Sequence, residues 1–315
     1  LAAARLRTLV AAGLRADGAH FSHVDRVNEI RSQIQAKQRL SKDEIWEVDE
    51  NAALADLNAR YFVPGIVHTA SHLPPSDPVG QAADRLATWD MKNRADGDSL
   101  VYDNTATTVL RSWLRHMTEL LLADDLPPAA LSNYAGLGYP TLTPRGSPGS
   151  TQPAAVSKII WNALQGGASG VPQHYDFLNG QTPQAMILTA LSEAVSELTA
   201  QFGKDMANWT TPLVPHRFSH INAVGVPWTS VEQQPEIVPY LNRGTASYRV
   251  ILQAGAVSMC SAIAPGQSGF IDPSSVRAPH YADQLHLFRD HQCKPERVTP
   301  AQVDANLEST RILHY

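Results

Sequence analysis

Residues 248–264 read YRVILQAGAVSMCSAIA, and this stretch decides the fold class of the chain. It contains two runs rich in Val, Ile and Tyr, residues 248–253 and 256–264, with Gly255 between them. Short runs of β-branched and aromatic residues on either side of a glycine are typical of two neighbouring β-strands. We therefore predict a strand pair late in the chain. It is followed by two predicted short helices, around residues 280–290 and 300–310.

The chain before the strand pair is predicted to be mostly helical, because its apolar residues recur at spacings of three and four. Ser22 is a suitable cap for a first helix over residues 22–37. Ser41 and Glu44 form a capping box that opens a second helix. Pro78 directly after Asp77 predicts the start of a third, since Pro is favoured at the first helical position.

The clearest helix of the sequence begins at Thr182 and stops at Gly203. Two more apolar stripes with helical spacing lie at residues 110–121 and 156–163. A stretch rich in Pro, Gly and Ser, residues 139–152, separates these two stripes. We interpret it as a long surface loop.

Composition limits the classes of function. The 315 residues are 43% hydrophobic, enough for one large core or two modest ones. The formal charge of -5 and the scattered Lys and Arg residues give no basic surface for nucleic acid. Every long apolar run is interrupted by Arg, Asp or Gly. We therefore expect neither a nucleic-acid partner nor a membrane span.

Several residues that often carry chemistry have a structural interpretation here. Cys260 and Cys293 fit either two reduced core thiols or one disulfide, and both alternatives stay open. His216 and His220 precede a strand-like segment, so we do not expect a zinc site. Residues 266–269, GQSG, lack the residue between Ser and Gly of a serine-hydrolase elbow and favour a tight turn.

A series of short motifs occurs in order along the chain. They are Asp25-Arg26-Val27-x-Glu29-Ile30, Leu40-Ser41-x-Asp43, Thr88-Trp89-Asp90, Phe218, Gly225-Val226-Pro227, Asn242-Arg243-Gly244-Thr245, Ala264-Pro265-Gly266-Gln267-Ser268-Gly269-Phe270-Ile271 and His280-Tyr281-x-Asp283-Gln284-Leu285. Their order and spacing resemble the penicillin G acylase family. The likeness runs from near Asp17 to the C-terminus and corresponds to about the second half of the family's larger, β, subunit.

The resemblance implies an α+β fold that is part of a four-layer αββα sandwich of the N-terminal nucleophile hydrolases. In this interpretation residues 1–56 are a helical segment flanking the active site, and residues 57–210 are a mostly helical region. Residues 211–315 supply the strand pair and C-terminal helices that complete the core. The three parts belong to one structural domain shared with other chains.

The resemblance also implies a reaction and partners. The family hydrolyses amides with an N-terminal serine, whose own α-amino group acts as general base, and an asparagine holds the oxyanion. Leu1 is not a nucleophile and no Asn-Trp-Asn-Asn segment is present, so another chain of the same processed precursor is expected to supply both groups. The expected substrate is penicillin G or a related N-acyl compound, and the expected location is the periplasm or the cell exterior.

Alternatives to this function remain open. Related acylases act on acyl-homoserine lactones, cephalosporins or lipopeptides. A family member without catalysis would serve as a binding or envelope component. An independent helical interaction domain that merely shares local motifs is a third alternative.

The resemblance assigns roles to three residues. Arg26 is expected to orient the catalytic asparagine and the amino group of the nucleophile; alternatively it forms an ion pair with Glu29. Phe21 is expected to line the acyl pocket; alternatively it is a core residue. Asp17 is expected to be one ligand of a structural Ca2+, which takes roughly six to eight oxygens; alternatively it caps a helix. No organic cofactor is expected.

The later matched motifs are expected to be scaffold. We assign no chemistry to Gln267 or Ser268. His280, Tyr281 and Asp283 are expected to cap a helix.

Overall fold

A computed structural model describes residues 25–94, 96, 101–129, 131, 155–212, 216–217, 236–237, 246–253, 255–264, 266–267, 280, 282–310 and 312–313. The predicted loop at residues 139–152 lies outside the described residues, and so do Leu1, His220, Ser268 and Tyr281. The division of the chain at residues 56 and 210 stays a prediction.

The described elements give a mostly helical chain with a small antiparallel sheet. The helices are α1 (Asp25–Gln35), α2 (Lys42–Leu54), α3 (Ala59–Ala70), α4 (Pro78–Ala87), α5 (Thr105–Leu122), α6 (Ala155–Gln165), α7 (Pro183–Phe202), α8 (Leu285–Arg289) and α9 (Pro300–Asp304). Short 3-10 helices lie at Gly166–Ser169 and Met206–Asn208. The strands are β1 (His216–Arg217), β2 (Glu236–Ile237), β3 (Ala246–Gln253), β4 (Ala256–Ile263) and β5 (Lys294–Pro295).

Local sequence signals fix several helix ends. The Ser41 hydroxyl accepts from the Glu44 backbone N–H at 3.2 Å, and the Glu44 carboxylate accepts from the Ser41 N–H at 2.7 Å. Asp77 and Thr182 cap α4 and α7 with their side chains. Gly203 ends α7 at a φ of 87°, a conformation that suits glycine. The predicted capping box and the predicted helix starts at Asp77 and Thr182 are confirmed.

The main hydrophobic core lies among α3, α4, α5, α6 and α7. Trp113 on α5 and Trp209, after α7, are both fully buried. Each indole N–H finds a carbonyl: Trp113 donates to Ile187 at 3.2 Å and Trp209 donates to Gly203 at 2.8 Å. These bonds satisfy the one polar group of each ring, so both tryptophans contribute their full apolar area to the core.

Helix α3 is a long element that local pattern analysis does not identify. Pro64 and Gly65 stand in its middle, and both residue types disfavour a helix interior. Pro64 lacks the N–H that would bond the carbonyl one turn earlier. The helix nevertheless forms because its Phe62, Val63 and Ile66 are buried in the main core. Burial of these three side chains outweighs the unfavourable local sequence.

The predicted strand pair is confirmed. Strands β3 and β4 pair antiparallel, from Ala246 opposite Ile263 to Gln253 opposite Ala256. Gly255 turns the chain between them with a φ of 76°. Strand β5 adds to the other side of β4, which gives the order β3-β4-β5. Separately, β1 and β2 form a two-residue antiparallel pair.

Cys260 and Cys293 form a disulfide, which decides between the two alternatives that the sequence leaves open. Cys260 lies on β4, and Cys293 directly precedes β5. The bond therefore fastens the third strand to the hairpin. It also closes a loop with a sequence separation of 33 residues.

The prediction that His280 and Asp283 cap a helix is wrong. Helix α8 begins after Gln284, and no side-chain hydrogen bond caps it. Instead, the two ring nitrogens of His280 lie 2.8 Å from an Asp283 oxygen and 2.9 Å from a Glu308 oxygen. The imidazole bridges two carboxylates, because both its nitrogens meet acceptors at hydrogen-bond distance.

Candidate active-site region

The first predicted site residue, Arg26, lies in the first turn of α1, as the sequence predicts. Phe21 and Asp17 lie outside the described residues. Whether the three predicted residues lie together therefore stays a prediction. What it shows is how the helix that carries Arg26 is held in place.

A chain of hydrogen bonds fixes α1, beginning one turn after Arg26. The Glu29 carboxylate accepts from Arg60 on α3 at 3.3 Å and from Gln33 at 2.9 Å. The side-chain amide oxygen of Gln33 accepts from the Asn51 amide on α2 at 3.1 Å, and the side-chain oxygen of Asn51 accepts from Lys92 at 2.6 Å. This polar relay, Glu29, Gln33, Asn51 and Lys92, links α1 to α2 and to the segment after α4.

The relay bears on the alternative role of Arg26. Glu29, the carboxylate considered as its ion-pair partner, has a described cationic partner in Arg60. The pair is only partly exposed to solvent. Arg60 therefore joins α3 to α1 across 31 positions of the sequence, a contact that no local pattern encodes.

A buried carboxylate organises the corner between α2 and α3. Asp56 accepts from the backbone N–H groups of Asn58 at 3.0 Å and Ala59 at 3.1 Å, and from the Asn93 amide at 2.9 Å. Burial raises the pKa of Asp56, while the Asn93 hydrogen bond and the charge of Arg111 oppose the rise. Asp56 thus holds the start of α3 against the segment that follows α4.

Arg111 and Tyr102 extend this buried polar region toward α5. The Arg111 guanidinium donates to the Tyr102 hydroxyl at 3.0 Å and lies 4.5 Å from the centre of the ring. Burial raises the pKa of Tyr102, which keeps its hydroxyl protonated. Thr107 on α5 donates to Asn93. We interpret these groups as scaffold, since they bond one another within the fold.

The C-terminal segment docks on α2. The rings of Trp46 and His291 lie 4.5 Å apart, and the Trp46 indole donates to the His291 carbonyl at 3.0 Å. Arg249 on β3 lies 5.1 Å from the Trp46 ring and 3.4 Å from an Asp43 oxygen. One helix, α2, therefore touches α1 on one side and the strand-bearing segment on the other.

A charged cluster that the sequence analysis missed joins α5 to α7. His116 lies 3.2 Å from a Glu193 oxygen and 3.1 Å from a Glu197 oxygen, and Arg115 pairs with Glu197. Burial raises the pKa of Glu197, but the hydrogen bond from Ser112 and the charges of Arg115 and His116 outweigh it, so the pKa is lowered. The four-residue spacing of the two glutamates on α7 was the available signal.

A polar pocket of about 410 Å³ lies between α4 and the turn after α7. Its lining residues are Gln81, Asp84, Arg85, Thr88, Lys204, Asp205 and Met206. This lining includes two acidic and two basic side chains, and none of its residues is a His, Cys or Ser. The Thr88 hydroxyl of this lining donates to the backbone carbonyls of Asp84 and Arg85, and so it bonds the main chain of α4 rather than a side-chain base.

Within the ranges that the structure describes, no group of three His, Cys, Asp or Glu side chains could hold a metal ion. The predicted calcium ligand, Asp17, lies outside those ranges. A calcium site would need several oxygens beyond that of Asp17. The described residues thus supply no ligand set, and we derive no chemical step through calcium.

The capped helices, the buried polar corner and the late antiparallel hairpin together define a mixed, mostly helical chain with a small sheet. The family model described as Penicillin amidase matches residues 9–305. The chain belongs to the penicillin amidase family.

Two relatives show how much of a family member the chain represents. Penicillin G acylase of Escherichia coli is 32% identical over 294 residues, which cover 92% of this chain and 35% of that protein. A solved structure, the thermostable penicillin G acylase from Alcaligenes faecalis, matches with a TM-score of 0.79 and 33% identity. That match covers 94% of this chain and 53% of the other. The chain thus spans about a third of the curated relative and half of the solved chain.

Proposed function

We propose that this chain is a subunit of a penicillin acylase-type amidohydrolase that cleaves the side-chain amide of penicillin G or a related N-acyl compound. The observation that supports this proposal is the extent of the similarity. Two penicillin G acylases, 32% and 33% identical, match 92% and 94% of this chain. The family match at residues 9–305 includes Asp17, Phe21 and Arg26. In this proposal the hairpin of β3 and β4 belongs to a four-layer αββα sandwich, which another polypeptide completes.

The proposed nucleophile is a serine at the N-terminus of another polypeptide from the same precursor. Its free α-amino group takes the hydroxyl proton through a water, and the serine oxygen attacks the amide carbonyl. The tetrahedral oxyanion accepts hydrogen bonds from an asparagine side chain and a backbone N–H of that partner. The chain spans only 35% of the Escherichia coli relative, which leaves the length for such a partner.

The proposed role of Arg26 is positioning. A guanidinium is a permanent cation with several donors in one plane, which suits it to orient an asparagine carbonyl and the groups around an amine. The polar relay through Glu29, Gln33 and Asn51 fixes the helix that carries it. Orientation of this kind raises the rate of the chemical step, because a small misplacement of the reacting groups slows the reaction strongly.

The other two residues have proposed roles at the edges of the site. Phe21 lines the acyl pocket, where an aromatic ring suits a phenylacetyl group. Asp17 contributes one oxygen to a structural Ca2+ that lies between chains, and the partner supplies other ligands. In that role the ion joins the two polypeptides.

The proposed location is the periplasm or the cell exterior. The disulfide between Cys260 and Cys293 supports it, because such bonds persist in oxidising compartments. As for membranes, the described helices include none with the length and apolar character needed to cross a bilayer.

The test is to purify the chain from its native host with everything bound to it, sequence each N-terminus and assay hydrolysis of penicillin G and phenylacetyl amides. We expect a bound polypeptide that begins with Ser and release of phenylacetate. A folded chain without such a partner, or a complex that leaves every acyl amide intact, overturns the proposal.

A further inference from the structure

The proposed reaction assigns no role to the polar pocket between α4 and the turn after α7. None of its described lining residues belongs to the polar relay or to the three proposed site residues. Positions 81, 84, 85 and 88 form one wall, with the three- and four-residue spacing of a single helix face. The volume of about 410 Å³ lies in the range of small-molecule sites, which is roughly 300–1,000 Å³.

The charged side chains of this pocket do not neutralise one another. Asp84 and Arg85 are consecutive on α4, and consecutive helical residues do not face each other. Lys204 and Asp205 are consecutive in the turn that forms the other wall. Among the residues that the structure describes, no ion pair or side-chain hydrogen bond involves Asp84, Arg85 or Lys204. A single unpaired charge is ordinary on a protein surface, but here three of them line one cavity.

Both walls of the pocket are held in place by the fold. Helix α4 packs its other face into the main core. In the turn, an Asp205 oxygen accepts from the Ala207 N–H at 3.0 Å, and the Met206 carbonyl accepts from the Thr105 hydroxyl at 2.9 Å. The pocket is therefore formed before a ligand arrives, which lowers the entropic cost of binding.

The chemistry of the lining selects a class of ligand. A simple anion that is attracted to Arg85 and Lys204 would be repelled by the two aspartates of the same lining. A simple cation would meet the converse repulsion. A small zwitterion, with a carboxylate and an ammonium group a few atoms apart, satisfies both kinds of charge. Met206 is the one apolar side chain of the described lining, so it suits an apolar group on the ligand.

We propose that the polar pocket binds a free α-amino acid with an apolar side chain. The carboxylate binds Arg85, whose planar guanidinium matches it with two parallel hydrogen bonds, and Lys204 adds a second cation. The ammonium binds Asp84. The Gln81 amide nitrogen donates to the Pro75 carbonyl at 3.0 Å, which leaves its oxygen as a second acceptor for the ammonium. This inference goes beyond the proposed function and does not depend on it.

The first test compares three ligands that differ in one group. Calorimetry measures their binding to the protein purified from its native host together with whatever is bound to it. L-leucine carries both charges, N-acetyl-L-leucine lacks the ammonium, and L-leucinamide lacks the carboxylate. We expect a dissociation constant on the order of 1 mM for L-leucine, as suits a small ligand in an open pocket. Each blocked form should bind at least about tenfold more weakly, since it loses a charged hydrogen-bonding group.

The second test locates the ligand. Arg85→Gln is expected to weaken the binding of L-leucine about tenfold and to leave the weaker binding of L-leucinamide unchanged, because only L-leucine has a carboxylate to lose. Arg31→Gln, which removes an exposed arginine on α1, is the matched control and should bind L-leucine like the parent. Both arginines are exposed, so the urea midpoint should stay the same in both variants.

Three results would overturn the amino-acid site. They are no saturable binding of L-leucine at about tenfold the expected dissociation constant, equal affinity for the three ligands, and equal losses in Arg85→Gln and Arg31→Gln. Hydrolysis of a phenylacetyl amide is assayed on the same preparation. A preparation that binds L-leucine as expected but leaves every acyl amide intact retains this inference and overturns the proposed reaction. Hydrolysis without L-leucine binding does the reverse.

Discussion

Trp46 and His291 bond each other reciprocally across 245 positions of the sequence. The indole N–H donates to the His291 carbonyl, and an imidazole nitrogen of His291 lies 3.3 Å from the Trp46 carbonyl. His291 is buried and has a φ of 53°, so its backbone takes a left-handed conformation that a side chain makes costly. The contact with Trp46 joins α2, near the start of the described residues, to the C-terminal segment.

We predict that Trp46→Ala lowers the free energy of unfolding by about 3 kcal/mol, because it removes a large half-buried ring. Trp46→Phe keeps a ring but loses the N–H donor, which costs about 1 kcal/mol. Ile45→Ala, at an exposed neighbouring position, should change stability by less than about 0.5 kcal/mol. Urea unfolding of the whole protein measures all three, and a Trp46→Phe variant as stable as the parent would contradict the contribution of the indole hydrogen bond.

The disulfide gives a second prediction about stability. Opening the loop by Cys260→Ser with Cys293→Ser is expected to cost about 3–4 kcal/mol, from the chain entropy of a cross-link with a separation of 33 residues. Reduction of the parent protein should produce a similar loss. The measurement is the urea midpoint with and without reductant. An unchanged midpoint, with both thiols shown to be free, would show that the bond does not stabilise the fold.

The bridge at His280 predicts that the free energy of unfolding depends on pH. Hydrogen bonds with Glu308 and Asp283 raise the pKa of His280 above its ordinary value. A raised folded-state pKa stabilises the protonated bridge below the ordinary pKa of about 6.5, and that contribution is lost as the pH rises through the folded-state value. An NMR titration of the imidazole measures the folded-state pKa of His280. Glu308→Gln should move the pKa down, and Asp304→Asn, on α9 nearby, should leave it in place.

Arg26 gives the prediction about catalysis. In the complex with the serine-bearing polypeptide, Arg26→Ala is expected to lower kcat for a phenylacetyl amide by about a hundredfold, since misplaced reacting groups cost about that factor. KM should change far less, because the residue orients groups of the enzyme. Arg31→Ala, at an exposed position on the same helix, serves as the control. Activity that survives Arg26→Ala unchanged would remove the positioning role.

The sequence predicts best what neighbours in the chain decide. The caps at Ser41, Asp77 and Thr182 are local, because each side chain bonds a backbone N–H two or three residues away. The turn at Gly255 is equally local. Helix α3 escapes such analysis because its stability comes from burial in a core built by distant segments, against the local effect of Pro64.

In the candidate active-site region, too, the sequence predicts the local feature but not the contacts between distant residues. The sequence places Arg26 on a helix, and the structure agrees. The groups that hold this helix, Arg60 and Asn51, lie 31 and 18 positions from their partners and could not be found from spacing. For the same reason the sequence could not decide whether Cys260 and Cys293 form a disulfide. Two cysteines permit such a bond, but their positions in the sequence do not show that their backbones come close in the fold.

The polar relay from Glu29 to Lys92 has a consequence for adapting the proposed enzyme. Its members belong to the framework behind Arg26, so a change such as Gln33→Glu or Asn51→Asp would alter the speed of turnover for all acyl groups by a similar factor. Selectivity among acyl groups would depend on other positions, with Phe21 first among them. The turnover rate and the selectivity among acyl groups would then change independently. Laboratory evolution for faster turnover would accumulate substitutions at relay positions without narrowing the range of substrates.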